Sequence, residues 1–155
     1  MKMKVIVATG FLHKPAAIDR AIRSAMAGAG RGAKADFQTT VATWKKKPTF
    51  TIESPTPYRR IIGTESDIYR YVSRGTRPHF IRPRRGKRLR FQTGYSAKTT
   101  PRVLGSTGGV ASGPTVFSRG VRHPGTEARE FEETVTAKWE RQLPIILQRA
   151  IDSEA

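Results

Sequence analysis

Two segments 45 residues apart nearly repeat each other: Ser-Arg-Gly-Thr-Arg-Pro-His-Phe at 73–80 and Ser-Arg-Gly-Val-Arg-His-Pro-Gly at 118–125. Glycine and proline this close together cannot continue a helix or the middle of a sheet, so each segment forces a turn where an element ends. Gly75 and Gly120 permit tight backbone turns, and Pro78 and Pro124 fix the exits. His79 and His123 then take partners from local backbone or from each other's loop. Two similar turns at the ends of neighbouring strands would bring basic segments to one edge of a sheet.

The remaining elements follow from hydrophobic spacing. Ile18, Ile22 and Met26 recur every four residues beside Ala21, Ala25 and Ala29, which predicts a helix over Pro15–Ala29. Pro15 suits its first turn, and the Gly28-Ala29-Gly30-Arg31-Gly32 run is expected to end it. Strands are predicted at Thr39–Trp44, at Thr49–Glu53 after the Lys45–Pro48 turn, and at Tyr58–Ile62 after the Pro55–Pro57 corner. The stretch Glu65–Val72 reads as either a helical turn or a strand, with Ile68, Tyr69 and Val72 expected in the core. Leu89–Phe91 and Thr115–Val121 read as two further strands. Between them, residues 93–114 are dominated by Gly, Ser and Thr and read as a flexible loop or hairpin insertion, with Tyr95, Val103, Leu104 and Val110 as candidate anchors on a partner. A last helix starts after Pro124-Gly125, with Thr126 as its cap and Phe131, Val135, Trp139, Leu143 and Leu147 as its apolar stripe. Pro144 is expected to kink or break it. The class implied is α+β: a curved antiparallel sheet packed by an N-terminal and a C-terminal helix, in a single domain over 1–155.

Charge narrows the partners. The chain of 155 residues carries a formal charge of +17, unevenly placed. Residues 1–125 hold 25 Lys/Arg against 5 Asp/Glu, whereas residues 126–155 hold 4 against 7. A basic body points to nucleic acid or to acidic protein surfaces. Its densest run is Arg82, Arg84, Arg85, Lys87, Arg88 and Arg90, flanked by Phe80, Phe91 and Tyr95, whose rings can stack on bases. No RNP, KH or helix-turn-helix pattern accompanies it. The acidic counterpart is Glu127, Glu130, Glu132 and Glu133, placed for a helix N-terminus. Like charges as crowded as Arg84, Arg85, Arg88 and Arg90 need water or counter-charges. Acidic residues of an adjacent subunit or ring are the first candidates, the Glu127–Glu133 run of a neighbouring copy among them, and packaged DNA is the second.

Chemistry finds little support. There is no cysteine, so disulfides and thiolate metal sites are excluded, and three histidines make a structural zinc site improbable. Ser73 or Ser118 with His79 or His123 lacks the carboxylate that a hydrolytic triad uses to orient its imidazole. The Gly-Ser-Thr-Gly-Gly run at 105–109 lacks the Lys-Ser/Thr of a phosphate loop. No catalytic, cofactor or metal site is predicted, and no window is apolar enough for a signal or membrane segment.

The order of motifs resembles small neck or tail-completion (head–tail joining) proteins of tailed bacteriophages. In that family a Gly-Thr-x-Pro-His-x-Ile-x-Pro run precedes a Leu-x-Phe strand, and a Val-x-His-Pro-Gly turn opens the C-terminal helix. Here these are Gly75, Thr76, Pro78, His79, Ile81 and Pro83, then Leu89 and Phe91, then Val121, His123, Pro124 and Gly125. The resemblance spans roughly residues 69–135. It implies a non-enzymatic virion protein, assembled in the host cytoplasm, that forms a ring at the head–tail junction, with six copies expected. Its implied neighbours are the adaptor, stopper and tail-terminator proteins. The insertion at 93–114 and the extreme basicity depart from the family pattern. The alternative class is a basic RNA- or DNA-binding protein, a ribosome-associated one included.

Overall fold

Proline at the first helical position loses no internal hydrogen bond. From there Ile18, Ile22, Met26, Ala29 and Ala33 fall buried at three- and four-residue intervals along α1, Pro15–Thr40. The structure, a computed structural model, describes residues 14–105, 109 and 111–154. They form two compact units: residues up to Gln38 with Pro48–Glu65 and the chain from Glu132 onward, and Thr39–Lys47 with Ser66–Phe131. The class is α+β, with antiparallel strands between an N-terminal and a C-terminal helix. The strands pair as three two-stranded sheets.

In the first unit, α1 is far longer than its glycines suggest. Gly28, Gly30 and Gly32 lie inside the helix and do not end it. Gly30 and Gly32 are contact points: a Cβ at Gly30 would stand 3.1 Å from the Arg60 side chain, and one at Gly32 only 2.6 Å from the Trp139 indole. The small side is needed for close packing, which outweighs the helix propensity lost at each glycine, about 1 kcal/mol. The hairpin of β1 (Thr51–Thr56) and β2 (Arg59–Gly63) pairs Ile52 with Ile62 and shifts register between Glu53 and Thr56, where Pro55 sits. Helix α3 spans Phe131–Asp152 and carries Val135, Trp139, Leu143 and Leu147 at four-residue intervals. Leu143 and Leu147 join Ile18, Ile22, Met26 and Ala29 in the core, with Trp139 and Tyr58 packed against it. Asp36 ties α1 to α3 twice, accepting from Lys138 Nζ and Trp139 Nε1 at 2.8 Å each. The break expected at Pro144 does not occur. The proline lies on the exposed face, and the helix continues to Asp152, held by the buried leucines on either side.

In the second unit the strand expected at Thr39–Trp44 is the last turn of α1 and the turn after it. Ala42 N–H donates to Thr39 O and Trp44 N–H to Val41 O. The undecided stretch is a helix: α2 runs Asp67–Arg74, with the Ser66 hydroxyl accepting from Tyr69 N–H as its cap. Tyr69 is buried in a row of rings with Trp44 and Phe131, at centroid distances of 6.4 and 5.5 Å. Ile68, expected beside it, is 62% exposed because α2 turns that position outward. Beyond α2 come β3 (His79–Ile81), β4 (Leu89–Gln92), β5 (Thr115–Ser118) and β6 (Val121–His123). The single strand expected over Thr115–Val121 is divided at Arg119-Gly120 into β5 and β6.

Candidate interaction surface

The two repeated segments are each other's partners. Strand β3 pairs with β6 so that His79 faces His123, Phe80 faces Arg122 and Ile81 faces Val121. The pairing starts at a bridge between Thr76 and Thr126, resumes in β4–β5 from Leu89↔Ser118 to Gln92↔Thr115, and ends at a bridge between Tyr95 and Ala111. Antiparallel pairing therefore runs outward from Thr76/Thr126 in two separate two-stranded sheets, β3–β6 and then β4–β5, in different registers. On one strand residues 82–88 loop out between β3 and β4, against only Arg119-Gly120 on the other. That loop is the basic run.

The turn chemistry explains the glycines and histidines. Gly75 ends α2 at φ 74°, and Gly125 adopts φ 94° with its missing Cβ directed onto Thr76 O, 2.2 Å away. Gly120 serves a different need: a Cβ there would meet the Phe80 ring at 2.4 Å, so the phenyl lies against bare backbone. The imidazoles of His79 and His123 stack with centroids 5.0 Å apart. His79 Nδ1 pairs with Arg77 O at 2.9 Å, and His123 Nδ1 accepts from Gly125 N–H at 3.0 Å. Both rings thus hold the turns, each through local backbone, as the sequence suggested.

The serines are also structural in position. Ser73, 2% exposed, accepts the Phe131 N–H at the start of α3 through its hydroxyl, and its carbonyl accepts from Arg129 and Glu130 N–H. Ser118 Oγ donates to Gly120 O at 2.5 Å and accepts from Gly120 N–H, closing the β5–β6 turn.

Arg82, Arg84, Arg85, Lys87, Arg88 and Arg90 are all exposed. The acidic group is divided. Glu132 and Glu133 occupy the first turn of α3, but Glu127 and Glu130 precede the helix, and Thr126 is a bridge residue and not its cap. Tertiary pairing delays the helix to Phe131, because Thr126 and Arg129 give their N–H groups to Thr76 and to Val72 and Ser73. Glu130 receives Arg102 Nε at 2.6 Å, and that hydrogen bond holds its carboxyl below the ordinary range. Glu127 pairs with Arg129 at 3.2 Å, the arginine being 8% exposed.

Within the 93–114 insertion, Thr93 and Gly94 pair back with Ser112, Gly113 and Pro114. Arg102 N–H donates to Arg129 O, and Thr99 is buried. Tyr95 and Val103 are exposed, while Val110 and residues 106–108 lie outside the described residues. Phe117, which sequence reading passed over, is 61% exposed directly opposite Arg90. The sequence Thr-Val-Phe-Ser carries no alternation that would have marked it, and only the strand's register turns Thr115 and Phe117 toward water.

The first unit holds an apolar cleft of about 210 Å³ between α1, β2 and α3, lined by Met26, Phe37, Ile62, Val135 and Trp139 among others. It falls short of the roughly 300–1,000 Å³ usual for small-molecule sites. Among the described residues no three His, Asp or Glu side chains cluster as a metal site would require, and no helix is long and apolar enough to cross a membrane. No protein-family model, curated protein or solved structure matches the chain.

Proposed function

We propose that this chain is a structural, non-catalytic subunit of the tailed-phage neck, forming a ring at the head–tail junction that completes the tail and joins it to the head. The observation that carries the reading is the pairing of the two motif runs. Gly75–Pro83 and Val121–Gly125, which bear the resemblance, meet as neighbouring strands tied by the Thr76–Thr126 bridge and the His79–His123 stack. The residues of those runs have structural jobs in that pairing and lead the chain into α3.

Exposure adds support. Two-stranded ribbons are marginal alone, and these present Phe91 and Tyr95 at exposed positions. Identical subunits contacting head-to-tail cover such surface and close into a ring when the rotation permits. The virion location, the six-copy ring and the adaptor, stopper and terminator neighbours come from the resemblance.

The test is the mass of the purified full-length chain after nuclease digestion, by light scattering and native mass spectrometry over a concentration series. A discrete closed oligomer, six copies by expectation, supports the reading. A monomer at every concentration that changes mass only on adding nucleic acid sinks it.

A further inference from the structure

From Ile68 to Thr126 the chain contains 13 Lys/Arg and no Asp or Glu. Arg70 and Arg102 find carboxylates outside that stretch, in Asp67 and Glu130. Arg82, Arg84, Arg85, Arg88, Arg90 and Arg122 form no ion pair among the described residues. The chain's own acids cannot supply the deficit in an assembly of identical copies, since every copy adds +17. The carboxylates that follow the stretch in sequence, Glu127 and Glu130, already pair with Arg129 and Arg102. Water and small ions solvate these exposed guanidinium groups, so any macromolecular counter-charge comes from a polyanion outside the assembly.

The aromatic placement says which kind. Each of the two sheets sets one exposed phenyl directly across from one exposed arginine: Phe80 opposite Arg122 in β3–β6, and Phe117 opposite Arg90 in β4–β5. Directly opposed residues share a face of the ribbon. Phe80 is 57% exposed although it rests on Gly120, and Arg82 Cζ stands 5.5 Å from its ring centroid. An apolar ring held out in water beside an unpaired guanidinium, once in each sheet, offers a stacking face next to a phosphate ligand, the two kinds of contact an unpaired strand uses. An acidic protein would satisfy the charges and leave the repeated phenyl–arginine pairing without a purpose.

We propose that the surface of these two sheets binds single-stranded nucleic acid, with Phe80 and Phe117 stacking on bases and the arginines of the 82–88 loop, Arg90 and Arg122 holding phosphates. The inference is independent of ring formation.

It is tested with the full-length, nuclease-treated chain by fluorescence anisotropy, using a labelled oligothymidylate and a duplex of equal length across a salt series. A protein this basic binds any polyanion to some extent, so the aromatic variants discriminate. Phe80→Leu and Phe117→Leu are expected to weaken oligothymidylate binding by about tenfold each, with the salt slope unchanged. Arg84→Ala combined with Arg85→Ala is expected to reduce the slope of log K against log salt by about 1.4, at roughly 0.7 per phosphate. Unfolding midpoints of the Phe117, Arg84 and Arg85 variants should match the parent, since those side chains are exposed. Phe80→Leu removes a ring resting on Gly120 and is compared at a temperature where that variant is folded. Three results each overturn the proposal: equal affinity for duplex with no effect of the Phe variants, displacement by polyglutamate as effective as by oligothymidylate, or no binding. A monomeric chain that binds with Phe dependence keeps this inference and removes the ring, and a ring indifferent to oligothymidylate does the reverse.

Discussion

The missing side chain at Gly125 decides more than most side chains present. Its φ of 94° is one that L-residues rarely adopt, and the space a Cβ would need is held by Thr76 O. Gly125→Ala is expected to cost at least about 1–3 kcal/mol from backbone strain alone, read as a lower unfolding midpoint with loss of the Thr76–Thr126 pairing in amide exchange. A neutral outcome would mean that the turn is not held as described. The same scale shows what a sequence conceals. Ser73 looks like a nucleophile candidate when read beside His79, yet its hydroxyl is spent on the Phe131 N–H, 58 residues away. No local pattern encodes a partner that distant.

Among the elements, α1 teaches most. Gly28, Gly30 and Gly32 read locally as a stop, because each costs helix propensity. The buried stripe nonetheless continues past them through Ala33, a spacing already visible in the sequence. Gly32→Ala separates the two accounts by sign. At an open helical position it would gain about 1 kcal/mol. Here it is expected to lose roughly 1–3 kcal/mol by overpacking against Trp139. Trp139→Leu in the same chain should recover part of that loss, and a double-mutant cycle by chemical denaturation measures the coupling. Strict additivity would remove the indole contact from the explanation.

For the molecule as a whole, twelve carboxylates offset 29 Lys/Arg, so acidification removes scarce counter-charge. Two carboxyls are held below their ordinary range in the folded chain. At Asp19 the cause is the hydrogen bond from the Tyr58 hydroxyl and then that from Arg23; at Glu130 it is the hydrogen bond from Arg102. A folded-state pKa below the unfolded one means that the unfolded chain binds protons first. The stabilisation is complete above the ordinary carboxylate range and is lost as pH falls through the lowered values. The unfolding midpoint should therefore drop as pH descends through that window. Asp19→Asn is expected to lower the midpoint at neutral pH and flatten the descent, and an unchanged descent would exclude the Asp19 contact as a contributor.

The sequence alone determined the class, the helices at either end, the β1–β2 hairpin, the apolar stripe of α3 and the basic run, because periodicity and charge are local properties that each residue carries with it. The exposed phenyl–arginine pairs, the delay of α3 to Phe131 and the partnership of the two repeated turns were decided only by tertiary structure. The pairs and the partnership depend on register between strands, as with Thr76 and Thr126, 50 residues apart. The delay of α3 depends on hydrogen bonds to α2, as with Ser73 and Phe131, 58 residues apart. Both are set by which buried surfaces and backbone donors find one another.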